Sequence, residues 1–443
     1  MVVGRGARSV CVRRALPPVQ RALTCLLVVA LVTFGGVGSA AAWEEGRQRH
    51  IRRINEAPGL VRDIYRVDAD SGPSDVQVLR FRLDDTRLAL KTELANGVVP
   101  GKEPVPDLLR RLGPGAIAGV NAGFSNPSCP PTSPDGDPCG LVLRDGLLVS
   151  EEVANGSVWQ GAFAIFPPLV RAKPWAVDRP GFHGELRLPD GRPVRLHGID
   201  RQPRPGEVVA FNRAYDATTG TPPGTLELVL PGVDLGARTD SDAVVTVVTR
   251  AGNSDIPVRG TVLAAAGAAA GALGAIRAGD RLHLRVLSTP PEWEHANQAM
   301  AAGPLVLRNG APTSPGEWRS EGFAAPHNNL PHPRTVIGFT PAGEALLVTV
   351  DGRRPDSRGL TTLEVAHLMQ HLGAVDAVMM DGGGSTTMAV RGQATNVPCT
   401  GPNNCGRPRP VASALVVWSN VPAGLLPDLV DLPGTSPSPS QGT

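Results

Sequence analysis

The sequence predicts an α+β protein, a strand-rich mixed sheet with at least one parallel βαβ unit over residues 345–380. Three observations carry this. Short β-branched runs separated by Gly, Pro and Asn recur along most of the chain. Residues 361–373 hold an apolar helical period between a T-x-x-E capping box, Thr361 to Glu364, and a glycine stop at Gly373. That helix lies between two short apolar runs, 345–350 and 374–380, and a crossover of this kind is expected to join parallel neighbours.

In chain order, residues 1–42 have the layout of an export signal. Arg5, Arg8, Arg13, Arg14 and Arg21 precede an apolar stretch at 22–37, and Ala40-Ala41-Ala42 gives a small-residue cleavage site before Trp43. The apolar run is barely long enough to span a bilayer, so a secreted, extracellular or cell-envelope protein with no stable membrane anchor after signal cleavage is expected. The four cysteines beyond the signal, Cys129, Cys139, Cys399 and Cys405, suit an exported chain. Sequence-near pairing, Cys129 with Cys139 and Cys399 with Cys405, is preferred among the three connectivities. A formal charge of +2 over 443 residues, with scattered arginines, excludes an electrostatic case for nucleic acid.

Residues 43–74 read as an Arg-rich lead of helix and loop, and residues 75–420 as the main folded domain. Its first strands are expected at 76–83 and 87–94, a helix at 104–112 and a strand at 116–120 that ends in Asn121-Ala122-Gly123-Phe124. Residues 157–300 form a divergent middle of short strands, readable as a separate lobe, with an Ala- and Gly-rich helix or connector at 263–276. A hairpin at 303–310 and a strand entered through His332-Pro333-Arg334-Thr335 follow. After a closing strand at 409–415, residues 421–443 are a Pro- and Ser-rich tail with the composition of disorder.

The chemistry gathers where strands stop. Asp351 and Asp381 each follow the C-terminal end of a strand, and in open α/β sheets that edge takes ligands. Gly382, Gly383 and Gly384 allow positive φ and close approach, leaving backbone N–H groups for an anion, and Ser385, Thr386 and Thr387 add hydroxyls. A lone Asp-Gly is usually a turn, but three glycines and three hydroxyls between apolar strands favour a site. Asn121 can donate to a sugar hydroxyl or phosphate oxygen, or simply serve a turn. Arg334 offers a planar fork for phosphate, and Arg409 is a second candidate.

The motifs Arg334-Thr335-Val336-Ile337-Gly338, Val350-Asp351-Gly352-Arg353 and Met380-Asp381-Gly382-Gly383-Gly384-Ser385-Thr386-Thr387-Met388, with Asn121 to Phe124 upstream, resemble the phosphodiester glycosidase family. That family includes the N-acetylglucosamine-1-phosphodiester alpha-N-acetylglucosaminidases. The resemblance implies a hydrolase that cleaves a sugar 1-phosphodiester at C1–O, releasing free sugar and a phosphomonoester, from a sugar-phosphate glycoconjugate or a cell-wall polymer. It implies Asp381 as the catalytic carboxylate with Asp351 as partner, and Asn121, Arg334, Arg409, Gly382 to Gly384, Ser385 and Thr386 as substrate ligands, with no cofactor. Ala122, Ser125 and the Pro-rich loop between Cys129 and Cys139 depart from the family pattern and bear on which sugar is bound. Two other classes use the same residues: a phosphodiesterase cutting P–O with Ca²⁺ or Mg²⁺ on Asp351, Asp376 and Asp381, and a glycan-binding module without turnover.

Overall fold

The computed structural model describes residues 47–125, 135–152, 161–167, 173–421 and 430–431. The export signal at 1–42, Cys129 and all of the tail except 421 and 430–431 lie outside the described residues. The elements that build the site are β1 (Gly72–Arg82), β2 (Ala116–Asn121), β3 (Arg334–Phe339), β4 (Glu344–Val350), α1 (Thr362–His371), β5 (Asp376–Met379), β6 (Met388–Val390) and β7 (Ser413–Ser419).

In one sheet the order runs Leu305–Arg308, β5, β3, β4, β1, Leu60–Ala69, Gln48–Ala57, and each of these pairings is antiparallel. Alternation along the strands gives this sheet two buried faces, as the unbroken apolar runs require. Leu346, Val348, Val336, Ala377 and Met379 pack on Val365, Ala366, Leu368 and Met369 of α1. Leu347, Ile337 and Val378 face the other way, into a core shared with Val120 of β2 and Leu415 and Val417 of β7. There a second sheet runs Gln393–Ala394, β6, β2, β7, Leu88–Leu94. Strands from the middle region enter the same core through Val209, Phe211, Val229 and Val262.

The helix forms as read, with both halves of the capping box made by Thr361 and Glu364 and with Gly373 at φ +89° after its last turn. Leu363, within that apolar period, stands off the buried face and is 47% exposed.

Three expectations are corrected. β4 and β5 do run the same way, but they are not neighbours: the tight turn at Thr340 to Gly343 folds β3 back beside β4, and β5 adds to the far edge of β3. The expected parallel unit over 345–380 therefore encloses an antiparallel strand. Residues 43–74 are not helix and loop where described; Gln48–Ala57 and Leu60–Ala69 form a long hairpin about Pro58-Gly59, with Gly59 at φ +87°. Edge position explains why Arg-rich sequence serves as strand there, since one face stays in solvent. In the Ala- and Gly-rich segment, residues up to Ala265 belong to the strand Gly260–Ala265, and only Ala268–Ala272 is helical.

Among the described residues no helix is long and apolar enough to cross a membrane. The Cys399–Cys405 disulfide is present, and Cys139 is also disulfide-bonded.

The Glu364 carboxylate that caps α1 also accepts from the Ser71 amide at 2.8 Å, so the cap fastens the helix to the turn before β1. Thr361→Ala is expected to lower unfolding free energy by about 1 kcal/mol. Urea unfolding would show this as a lower midpoint at unchanged slope.

Candidate active site

The strand registers bring three chain ends to one sheet edge. Arg334 at the start of β3 faces Val350 at the end of β4, and Val336 faces Met379 at the end of β5. Asp351, Arg334 and Asp381 are therefore gathered by pairing alone. Backbone bonds from Met380 to Thr335, from Gly383 to Pro333 and from Asp381 to Ala122 then lock the turn after β5 onto its neighbours.

Asn121 sits fully buried at the end of β2. Its Nδ2 donates to the Asp381 carbonyl at 2.6 Å, and its Oδ1 accepts from the Thr335 hydroxyl at 2.7 Å and the Thr387 amide at 3.0 Å. The amide joins β2, β3 and both ends of the glycine turn, so it positions the site from inside instead of touching substrate as the motif implied.

Asp381 is the carboxylate that opens outward, with 27% of its side chain exposed. Ser385 Oγ donates to its Oδ2, and Arg409 reaches the same Oδ2 at 3.4 Å and also donates to Ser385 Oγ. Surrounding protein nevertheless desolvates the carboxyl, and burial raises its pKa despite the Ser385 bond and the Arg409 charge.

Asp351 is more enclosed. Asn396 Nδ2 donates to Oδ1 at 2.8 Å and the Val397 amide to Oδ2 at 3.0 Å, while Arg354 lies 3.7 Å away. Burial pushes its pKa up to about 6 against the two hydrogen bonds. Asn396 also donates to the Thr386 carbonyl at 3.2 Å and accepts from the Met388 amide at 2.7 Å. Asn396 had no role in the sequence reading; an amide twelve residues past Gly384 carries no local signal of it.

Arg334 differs from its expected role. Its guanidinium is buried, with Nε donating to the Leu360 carbonyl at 2.9 Å and Nη2 to the carbonyls of His327 at 2.6 Å and Leu330 at 3.2 Å. Among the described residues no carboxylate pairs with it, and burial followed by the nearby Arg353 lowers its pKa to about 9, so it stays charged at neutral pH. His327 beside it is held neutral, with a pKa lowered to about 3 by burial and the Arg334 charge.

The cation that does face the glycine turn is Arg353, which the sequence reading quoted in its motif without a role. It adopts φ +63°, rare for a non-glycine residue, and its Nη1 donates to the Thr400 carbonyl at 2.8 Å. A Cβ on Gly383 would come within 2.8 Å of Arg353 Nη2, and one on Gly384 within 3.3 Å of Arg409 Nη1. The glycines thus admit two arginines more than they expose amides. The N–H groups of Gly383, Ser385, Thr386 and Thr387 are already committed within the protein, so of the expected amide cradle Gly383 does not offer its N–H to an anion. Thr386 is fully buried with its hydroxyl unpartnered, so it does not face the opening as expected.

Asp376, the third carboxylate of the metal reading, lies at the opposite end of β5, bonded to Lys173 at 2.6 Å and Trp175 at 3.0 Å. Among the described residues no cluster of three or more His, Cys, Asp or Glu side chains is placed to hold a metal ion.

Residues 235–418 match the family model described as Phosphodiester glycosidase. A hypothetical protein from Synechocystis has the same fold at TM-score 0.66 and 21% identity, over 83% of this chain and 63% of that one. A protein of Burkholderia pseudomallei described as exported aligns at TM-score 0.59 and 23% identity, over 78% of this chain and 74% of that one. The catalytic domain of zebrafish N-acetylglucosamine-1-phosphodiester alpha-N-acetylglucosaminidase, auto-inhibited by its pro-peptide, aligns at TM-score 0.43 and 15% identity, over 84% of this chain and 88% of that one. A prophage-derived uncharacterized protein of Bacillus subtilis is 40% identical over 68 residues, a stretch that spans 15% of this chain and 11% of that protein. The match at 235–418 contains Arg334, Asp351, Arg353, Asp381 and Arg409; Asn121 lies outside it.

The raised pKa of Asp351 has a consequence for stability. Folded, the carboxyl holds its proton up to about pH 6, against 3.8 in the unfolded chain. Its stabilising contribution is therefore complete below the unfolded pKa and is lost as pH rises through the folded one, a decline of roughly 3 kcal/mol. Asp351→Asn is expected to remove that part of the slope between about pH 4 and about pH 6 in urea-derived stabilities.

Proposed function

We propose that this chain, whose residues 235–418 carry the match to the phosphodiester glycosidases, is an exported hydrolase that cleaves the C1–O bond of a sugar 1-phosphodiester. The observation that carries the reading is a charge imbalance beside an accessible carboxylate. Arg409 is shared with Asp381, whereas Arg353 and the buried Arg334 have no carboxylate partner among the described residues.

Breaking C1–O converts a phosphodiester monoanion into a phosphomonoester that gains charge. A site with surplus cations is thus complementary to the departing phosphate more than to the bound diester, the condition for catalysis. Arg353 and Arg409 are the direct phosphate ligands in this reading, and Arg334 adds a fixed positive field from beneath. Because phosphate is already an acidic leaving group, its oxygen needs charge neutralisation more than a proton.

Asp381 then stabilises the oxocarbenium-like carbon or takes the proton from the attacking water, whose oxygen ends on C1 of the sugar. Ser385 orients that carboxylate, Asn121 fixes the turn that bears it, and Asp351 holds the 396–397 segment behind it through Asn396. Sugar-phosphate glycoconjugates and wall polymers with such linkages are the substrate class.

Hydrolysis of UDP-GlcNAc or another GlcNAc-1-phosphodiester in ¹⁸O water tests this. Label is expected in the sugar; label in the phosphate overturns the reading. Asp381→Asn is expected to lower kcat at least about 100-fold. Arg353→Ala is expected to lower kcat/KM by roughly 100-fold and to weaken competitive inhibition by inorganic phosphate. Unchanged phosphate inhibition in that variant would remove Arg353 from the phosphate site.

A further inference from the structure

Thr400 stands at the mouth of the site, exposed, and its hydroxyl makes no hydrogen bond among the described residues. It belongs to a two-stranded hairpin, Cys399–Gly401 with Asn404–Cys405. The Cys399–Cys405 disulfide closes the base of that hairpin, and beside it the Gly406 amide donates to the Pro398 carbonyl at 2.8 Å. Both flanks are tied down as well. Asn396 and the Val397 amide hold Asp351 on one side, and Arg409 reaches Asp381 and Ser385 on the other. A short, cross-linked hairpin is thereby seated over the glycine turn.

How closely it sits is set by the glycines. A Cβ on Gly384 would lie 2.9 Å from Thr400 Oγ1 and 3.3 Å from Arg409 Nη1, and one on Gly383 would lie 2.8 Å from Arg353 Nη2. Three donors therefore converge beside two adjacent residues. Each arginine is held by its other terminal nitrogen: Arg353 Nη1 donates to the Thr400 carbonyl at 2.8 Å, and Arg409 Nη2 donates to Ser385. Among the described residues Arg353 Nη2 and Arg409 Nη1 make no hydrogen bond and are left for a ligand. Thr400 thus aims one guanidinium with its carbonyl and sets its own hydroxyl beside the two free nitrogens.

We infer, resting on the proposed C1–O cleavage, that the Thr400 hydroxyl is a ligand of the departing phosphate and binds the oxygen that cleavage sets free. A phosphodiester has two terminal oxygens. Its phosphomonoester product has three, the third being the former bridging oxygen, which keeps the electron pair of the broken bond while the oxygen of water joins C1 and a water proton passes to Asp381. The free nitrogens of Arg353 and Arg409 serve the diester's two oxygens, and the third donor gains a charged oxygen of its own only as the bond breaks. A contact made in the transition state and product, and not in the bound diester, raises kcat instead of lowering KM. Because the hydroxyl is neutral, it adds this without another cation beside Arg353, whose own charge burial and Arg409 already disfavour.

Calorimetric titration of methyl phosphate, with three terminal oxygens, and of dimethyl phosphate, with two, into the full-length protein and its Thr400→Val and Thr400→Ser variants tests this. Thr400→Val keeps the shape and the carbonyl while removing the hydroxyl. It is expected to weaken methyl phosphate binding about 10-fold and dimethyl phosphate binding less than about 2-fold, with Thr400→Ser restoring wild-type affinity. On a GlcNAc-1-phosphodiester the valine variant is expected to lose about 10-fold in kcat at nearly constant KM. Equal weakening of both probes overturns the assignment, as do wild-type affinity in Thr400→Val and absence of methyl phosphate binding by the wild type. The probes are read without turnover, so their failure leaves the ¹⁸O result standing. Label in the phosphate, conversely, overturns the bond assignment whatever the probes show.

Discussion

The buried amide of Asn121 is the contact on which the rest of the active edge depends. One side chain, with a donor and an acceptor pointing in opposite directions, bonds two backbone groups of the glycine turn and a hydroxyl of β3. Burial makes each bond obligatory, because an apolar substitute leaves the Asp381 carbonyl and the Thr387 amide without water or protein partners. Asn396 does the same on the far side, between Asp351 and the strand that leaves the turn. The two amides let a glycine-rich segment, which has little side-chain packing of its own, hold a fixed shape.

Rigidity of this kind matters because the electrostatics are unfavourable until a ligand arrives. Arg334 lies buried among carbonyls and neutral His327, and Arg353 sits beside Arg409 with its own charge disfavoured by burial and by that neighbour. Carbonyl dipoles compensate such cations only in part, so in the proposed reaction the positive field is in place before substrate binds. Preorganised charge needs no rearrangement at the moment of reaction, and the sheet edge supplies the stiffness that keeps like charges close.

Much of this was legible in the sequence wherever the signal was local. The capping box, the glycine stop, the apolar strands β4 and β5, the Cys399–Cys405 pairing and the placing of Asp351 and Asp381 beyond strand ends all rest on short spans. Errors came from pairing over distance. Nothing near residues 345–380 announces that β3 slips between the two acidic strands, and Arg-rich residues 48–69 become strand only because a sheet edge was available. Side-chain direction was equally hidden. Arg334 reads as an exposed fork until α1's preceding loop and the 327–330 carbonyls close over it, and Arg353 reads as filler until Gly383 is seen to make room for it. The amides of Gly383 and Thr387 looked available for the same reason, since their partners, the Pro333 carbonyl and the Asn121 side chain, lie on other segments.

The interleaving of the second sheet bears on how the molecule comes into being. β7, formed by residues 413–419 near the C-terminus, lies between Leu88–Leu94 and β2, and β1 pairs with β4 from more than 250 residues away. Neither sheet can close while the C-terminal quarter is missing, so nascent chains on the ribosome carry open strand edges until synthesis is nearly done. Such long-range topology slows the search for the native state and leaves intermediates exposed to wrong partners. The segment that matches the family lacks β1, β2 and Leu88–Leu94, and a chain truncated before Ser413 lacks the strand that seats Asn121.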